Sequence, residues 1–156
     1  MANTQAISTS FKAELLNAVH QFGSPTIVSR TSLTAPTADT FKAALYLASG
    51  SQGAGTTAYS STNEVSGTGY SAGGVSVGTW NAPTTSGTTG YTTPTASLVY
   101  TTVTLTTAFD AVTIYNSTQS NKAVSTHTFG SQTITAGTLT LTMPTNAAGT
   151  ALLNLA

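Results

Sequence analysis

LVYTTVTLTT at residues 98–107 and AVTIYN at 111–116 alternate apolar with hydroxyl-bearing side chains, and this alternation decides the fold class. Successive side chains of a strand point to opposite faces, so a period of two marks a strand with one buried face. In the first stretch Val99, Val103 and Leu105 fall on one face, with Tyr100 and the threonines on the other. In the second, Val112 and Ile114 stand opposite Thr113 and Tyr115. Threonine is β-branched and stiff at χ1, which suits the solvent face of a strand. Hydroxyls here take the place that charges usually fill.

The same alternation continues downstream in AVSTHTFG (123–130), SQTITAG (131–137) and TLTLTMP (138–144), which direct Leu139, Leu141 and Met143 inward. ALLNLA (151–156) reads as one more strand. Upstream, FKAALYLA (41–48) alternates Phe41, Ala43, Leu45 and Leu47 against Lys42, Ala44 and Tyr46. Ala and Leu also form helices, but the glycines that follow at 50, 53 and 55 favour a strand. GGVSVGTWNAP (73–83) places a strand on Val75 and Val77, stopped by Pro83. Residues 49–74 and 84–95 read as long Gly- and hydroxyl-rich loops, the first ordered by Tyr59 and Tyr70. Several short strands separated by turn signals predict an all-β fold, an antiparallel β-sandwich or jelly-roll-like domain over 41–156. No repeat of 20–50 residues is present.

Residues 1–40 read as an N-terminal arm, one short helix and a connection. Phe11, Leu15, Ala18 or Val19, and Phe22 share a helical face, with Thr9 or Ser10 as the cap and Gly23 before Pro25 as the stop. A helix of about three turns is marginal alone and must pack on something. Its face has two candidate partners, the protein's own β-domain or a neighbouring subunit. Ile27 and Val28 could form a brief strand in the connection.

Charge is the unusual quantity. Only 5% of residues are Asp, Glu, Lys or Arg, where about 25% is typical. Four basic and four acidic residues balance to zero. Four scattered cations cannot supply the patch that nucleic acid or an anionic membrane surface requires. A near-zero net charge gives little colloidal repulsion and favours association. Cysteine is absent, which excludes disulfides and cysteine-based metal or redox sites. The first residues, MANTQAISTSFKAELL, have neither the basic nor the apolar region of a secretory signal, and no apolar run spans a bilayer. Synthesis in the cytoplasm is the expectation.

Polar catalysis needs titratable groups brought together, and few exist. Glu14, Asp39, Glu64 and Asp110 are far apart in sequence, and no local motif pairs them. His20 falls on the expected helix and His127 between two strand threonines. Any Ser–His–Asp set drawn from His127, Asp110 and the many serines lacks a G-x-S-x-G elbow. The histidines lack zinc-site spacing. SGSQGAG (49–55) and SGTGYSAGG (66–74) lack the lysine of a phosphate loop, so turns are the simpler reading. Asn116-Ser117-Thr118 matches the glycosylation sequon. Trp80, Tyr91, Tyr59 and Tyr70 in or beside polar loops suit sugar stacking, interface anchoring or plugging of loops. No catalytic, cofactor-binding or metal-binding residue is assigned, and the expectation is a non-enzyme. The candidate interface residues are Phe11, Leu15, Val19, Phe22, Trp80 and Tyr91.

TNEVSGTGYSAGGVSV (62–77), FKAALYLA before it, FDAVTIYNSTQSNKAV (109–124) and GSQTITAGTLTLTMP (130–144) together resemble small virion proteins of tailed bacteriophages. The resemblance implies a structural role. The leading form is a head decoration or cement protein that binds the major capsid protein and copies of itself on the outer surface of the head, with a trimer favoured. The alternative is a small tail or fibre component that binds a receptor or glycan. The resemblance carries over no catalytic residues, and no cofactor, nucleic-acid, membrane or small-molecule partner is expected.

Overall fold

The structure is a computed structural model that describes residues 2–16, 19–20, 22–23 and 37–155. It is an all-β, sandwich-like fold of two antiparallel sheets with one small helix. The strands are β1 (Ala6–Ile7), β2 (Phe41–Leu47), β3 (Val75–Ser76), β4 (Thr84–Ser86), β5 (Thr89–Thr92), β6 (Leu98–Asn116), β7 (Lys122–Leu141) and β8 (Leu153–Leu155). One sheet runs β1-β7-β6-β2-β3 and the other β4-β5-β8. The one helix among the described residues, α1, spans Thr9–Leu16.

The expected run of short strands is in fact one long hairpin. β6 has 19 residues and β7 has 20, joined across residues 117–121. Breaks that look like turns in the sequence are β-bulges, where one strand gains a residue and bends without leaving the ladder. Between Tyr100↔Leu139 and Val103↔Gly137, β6 advances one residue further than β7, and Thr102 takes φ 51°. The slip returns at Ala136, with φ 46°, whose N–H is held by Thr104 Oγ1 at 3.0 Å.

These bulges correct the facing expected for 98–107. Leu98 and Tyr100 are buried, and Val99 is 43% exposed. The extra residue at Thr102 then restores Val103 and Leu105 to the buried face. A single-residue slip exchanges the faces of a strand, so a strict alternation could not survive the bulge. Past it, Val112 and Ile114 lie in the main core, and Ala111 and Tyr115 lie on the opposite face.

Two further expectations change. Residues 84–95 are not a plain loop: β4 and β5 pair as a tight hairpin, with Gly87 at φ 58° in the two-residue turn. The helix is shorter than Phe11–Phe22, because Val19, His20 and Phe22 are not helical; residues 17, 18 and 21, like Ile27 and Val28, lie outside the described residues. FKAALYLA is a strand and pairs with β6 from Phe41↔Asn116 to Leu47↔Phe109. Its position between β6 and β3 satisfies both of its backbone edges, which overrides the helix propensity of Ala and Leu.

The core is continuous from the N-terminal segment into the sheets. Phe11 is 1% exposed and Phe22 is 7% exposed. Phe22 stacks on Phe41 at 4.8 Å and meets Trp80 edge-on at 4.8 Å. Such aromatic pairs add about 0.5–1.5 kcal/mol each beyond their burial. The N-terminal aromatics therefore pack within the subunit.

Candidate assembly surface

The candidate interface residues separate into two groups. Phe11, Phe22 and Trp80 are buried in the aromatic cluster. Leu15, Val19 and Tyr91 are half-buried. Leu15, Phe22 and Tyr91 meet around one groove of about 240 Å³, with Pro83, Thr84, Gly90 and Leu153 completing its walls. The groove forms because the β4–β5 hairpin, paired to β8, places Tyr91 and Leu153 opposite the N-terminal segment. Leu155, 39% exposed, lies at the end of β8 on the same side of that strand as Leu153.

Among the described residues no charged side chain is exposed. Asp39, Lys42, Glu64, Asp110 and Lys122, the charged residues whose side chains are described, are all half-buried. The solvent face of the long hairpin is instead a field of hydroxyls, with Thr101, Thr106, Thr133, Thr138 and Thr140 exposed around Val99.

Sequence reasoning missed a second polar centre. Glu64 accepts the phenol protons of Tyr59 and Tyr70 at 2.7 Å each, and the N–H of Gly73 at 2.7 Å. Tyr115 donates to the carbonyl of Gly73 at 2.8 Å, Tyr46 to that of Ser60 at 2.7 Å, and Tyr100 to that of Ala43 at 2.8 Å. Tyr59 stacks on Tyr115 at 4.7 Å and Tyr70 on Tyr100 at 6.0 Å. Burial pushes the Tyr46 phenol up to about 12. Burial, then the nearby Glu64 carboxylate, also raises Tyr59, Tyr70, Tyr100 and Tyr115 above the ordinary phenol value. These are neutral phenols that fasten the 49–74 loop to the sheet. The available signal was the density of tyrosines around one acid in 59–70, but their partners on β2 and β6 are remote in sequence.

The other polar residues also have structural engagements. His127 Nε2 lies 2.9 Å from Ser125 Oγ, and burial lowers its pKa to about 4. Asp110 accepts instead from Asn3 Nδ2 at 2.6 Å, so the Ser–His–Asp set is not assembled. The sequon residue Asn116 is fully buried: its Nδ2 donates to Asp39 at 2.6 Å and lies 3.1 Å from His20 Nδ1. Its Oδ1 caps the N–H groups of Thr118 and Gln119 at 3.1 Å. Trp80, closed into the core, offers no stacking face, and its Nε1 finds no hydrogen-bond partner among the described residues. Among the described residues no group of three or more His, Cys, Asp or Glu could hold a metal, and no helix is long and apolar enough to cross a membrane.

Comparison of the chain with protein-family models, characterised proteins and solved structures finds no match.

Proposed function

We propose that this protein is a structural component of a bacteriophage virion, and that it decorates and stabilises the head shell as a non-catalytic cement protein. The observation that carries the reading is the apolar groove at Leu15, Phe22, Tyr91 and Leu153, set in a surface whose described charges are all half-buried. A monomer gains nothing from such a groove, whereas a partner's apolar side chain buried there stabilises a complex by about 25 cal/mol per Å² removed from water. The exposed threonines around Val99 on the long hairpin add hydrogen-bonding groups to a contact without the desolvation cost of burying ions. Neutral contacts are also less salt-sensitive than ion pairs. The resemblance to virion proteins supports a structural role, and with the head shell as the leading location the partners are the major capsid protein and further copies of this chain, as a trimer.

The test separates binding from folding. Leu15 is half-buried, so Leu15→Lys should cost the isolated protein no more than about 1–2 kcal/mol. Retention on purified capsids should fall at least tenfold. Full retention of Leu15→Lys and Tyr91→Glu on capsids would refute the groove as the contact, and wild-type protein localised on tails in negative-stain images would refute the head assignment.

A further inference from the structure

A second chamber lies away from this groove, on the core face of the long hairpin. It is a partly open pocket with a volume of about 230 Å³, lined by Leu98, Val112 and Ile114 of the sheet and by Leu141, Met143 and Leu152. His127 and Thr142 are its lining residues with polar side chains, and His127 is the one with a ring nitrogen. His127 pairs with Val112 across the ladder, and directly paired residues point to one face, so the imidazole stands among the core side chains. Ser125, two residues earlier and fully buried, holds Nε2 at 2.9 Å. The other ring nitrogen, Nδ1, makes no hydrogen bond to any described residue. Beyond His127 and Leu152 lies a more polar chamber of about 350 Å³, lined by Gln5, Thr126, Thr150 and Asn154. Among the described residues no Asp, Glu, Lys or Arg lines either space.

We propose that the apolar chamber is a binding site for a small uncharged alcohol or phenol, with its hydroxyl on His127 Nδ1 and its carbon body among Leu98, Ile114 and Leu152. Size permits it, since a dry apolar cavity of ~150 Å³ already takes benzene. Charge is excluded, because an ion here would be desolvated with no counter-ion to meet it. A hydroxyl fits the open nitrogen in particular. It both donates and accepts, and so satisfies Nδ1 in whichever tautomer the bond to Ser125 selects. The more polar space adjoins this pocket at His127 and Leu152, which line both. The proposal is independent of the assembly reading.

Titration of the purified protein with phenol, benzene and benzoate, followed by methyl and imidazole NMR, tests it. Phenol should saturate with a Kd in the millimolar range or tighter, within what about seven heavy atoms can supply. The shifts should be confined to His127 and the methyls of Leu98, Val112, Ile114, Leu141 and Leu152. Benzene should move the same methyls about 3–10-fold more weakly, the loss of one hydrogen bond, and benzoate should not bind. His127→Leu should erase the preference for phenol over benzene. Leu152→Trp, at a half-exposed position, should plug the chamber and abolish both, and it decides the matter if His127→Leu fails to fold. Scattered or non-saturating shifts, benzoate binding equal to phenol, or phenol binding unchanged in Leu152→Trp would each overturn the proposal.

Discussion

Tyr70 donates its phenolic proton to Oε1 of Glu64 at 2.7 Å, and this bond joins a loop acid to the sheet, because the same phenol oxygen accepts the backbone N–H of Leu45 at 3.1 Å. Glu64 Oε2 takes Tyr59 at 2.7 Å, so one carboxylate anchors both tyrosines of the 49–74 loop. Replacing it with Gln substitutes an NH₂ donor for one acceptor oxygen and removes the negative charge that strengthens the bonds. Glu64→Gln should cost about 2–4 kcal/mol in urea unfolding, and Tyr70→Phe about 1–2 kcal/mol. Unchanged midpoints in both would show that the loop is held by packing alone.

Alkaline pH should unfasten the same cluster. Tyr46 ionises at about 12 in the fold against 10.0 for a free phenol, so the unfolded chain loses its proton first as pH rises. Stability is therefore whole below pH 10 and falls between 10 and about 12, by roughly 3 kcal/mol from Tyr46 alone. The raised values of Tyr59, Tyr70, Tyr100 and Tyr115 act in the same direction. Tyrosinate absorbance near 295 nm should lag the free-phenol curve and then rise together with loss of β-sheet circular dichroism.

Acid acts through His127. Its pKa of about 4 in the fold lies below the free value of 6.5, so the unfolded state takes up the proton first as pH falls. The stability it contributes is complete above pH 6.5 and is lost on descent through pH 4, roughly 3 kcal/mol in all. His127→Leu should flatten the stability profile between these values. An equally steep profile in the variant would assign the acid sensitivity to the carboxylates.

Gly74 has to be glycine for two reasons. It sits at φ +73°, and a Cβ there would lie 1.7 Å from the carbonyl oxygen of Ala43. Gly74→Ala should therefore cost about 3 kcal/mol or more and loosen the β2–β3 pairing. Gly87, at φ +58° in the β4–β5 turn, has open space around its Cβ direction. Gly87→Ala should cost only the left-handed backbone penalty of about 1–2 kcal/mol. Thermal unfolding of the pair separates steric clash from backbone strain.

Much of the fold was legible because strand periodicity is a local property. The Val/Thr alternation of 98–116 and 122–141 sufficed for all-β architecture, and Phe41–Leu47 was readable as a strand despite its helix formers. The bulges were not legible. Thr102 and Ala136 adopt positive φ without being glycine, a choice imposed by the partner strand and by Thr104. The N-terminal helix reads too long because Phe22 is apolar for a different reason, its stack on Phe41.

By itself, then, the sequence determined a neutral, hydroxyl-faced β-protein, since composition and period two depend on neighbours in the chain. Tertiary structure alone decided which apolar residues remain at the surface. Val99 faces out because one inserted residue at Thr102 exchanges strand faces, and Trp80 is closed in by Phe22 and Phe41. It also gathered Tyr46, Tyr59, Tyr70, Tyr100 and Tyr115 around Glu64. Those contacts join residues far apart in the chain, where only the register of β2 on β6 brings them within bonding distance.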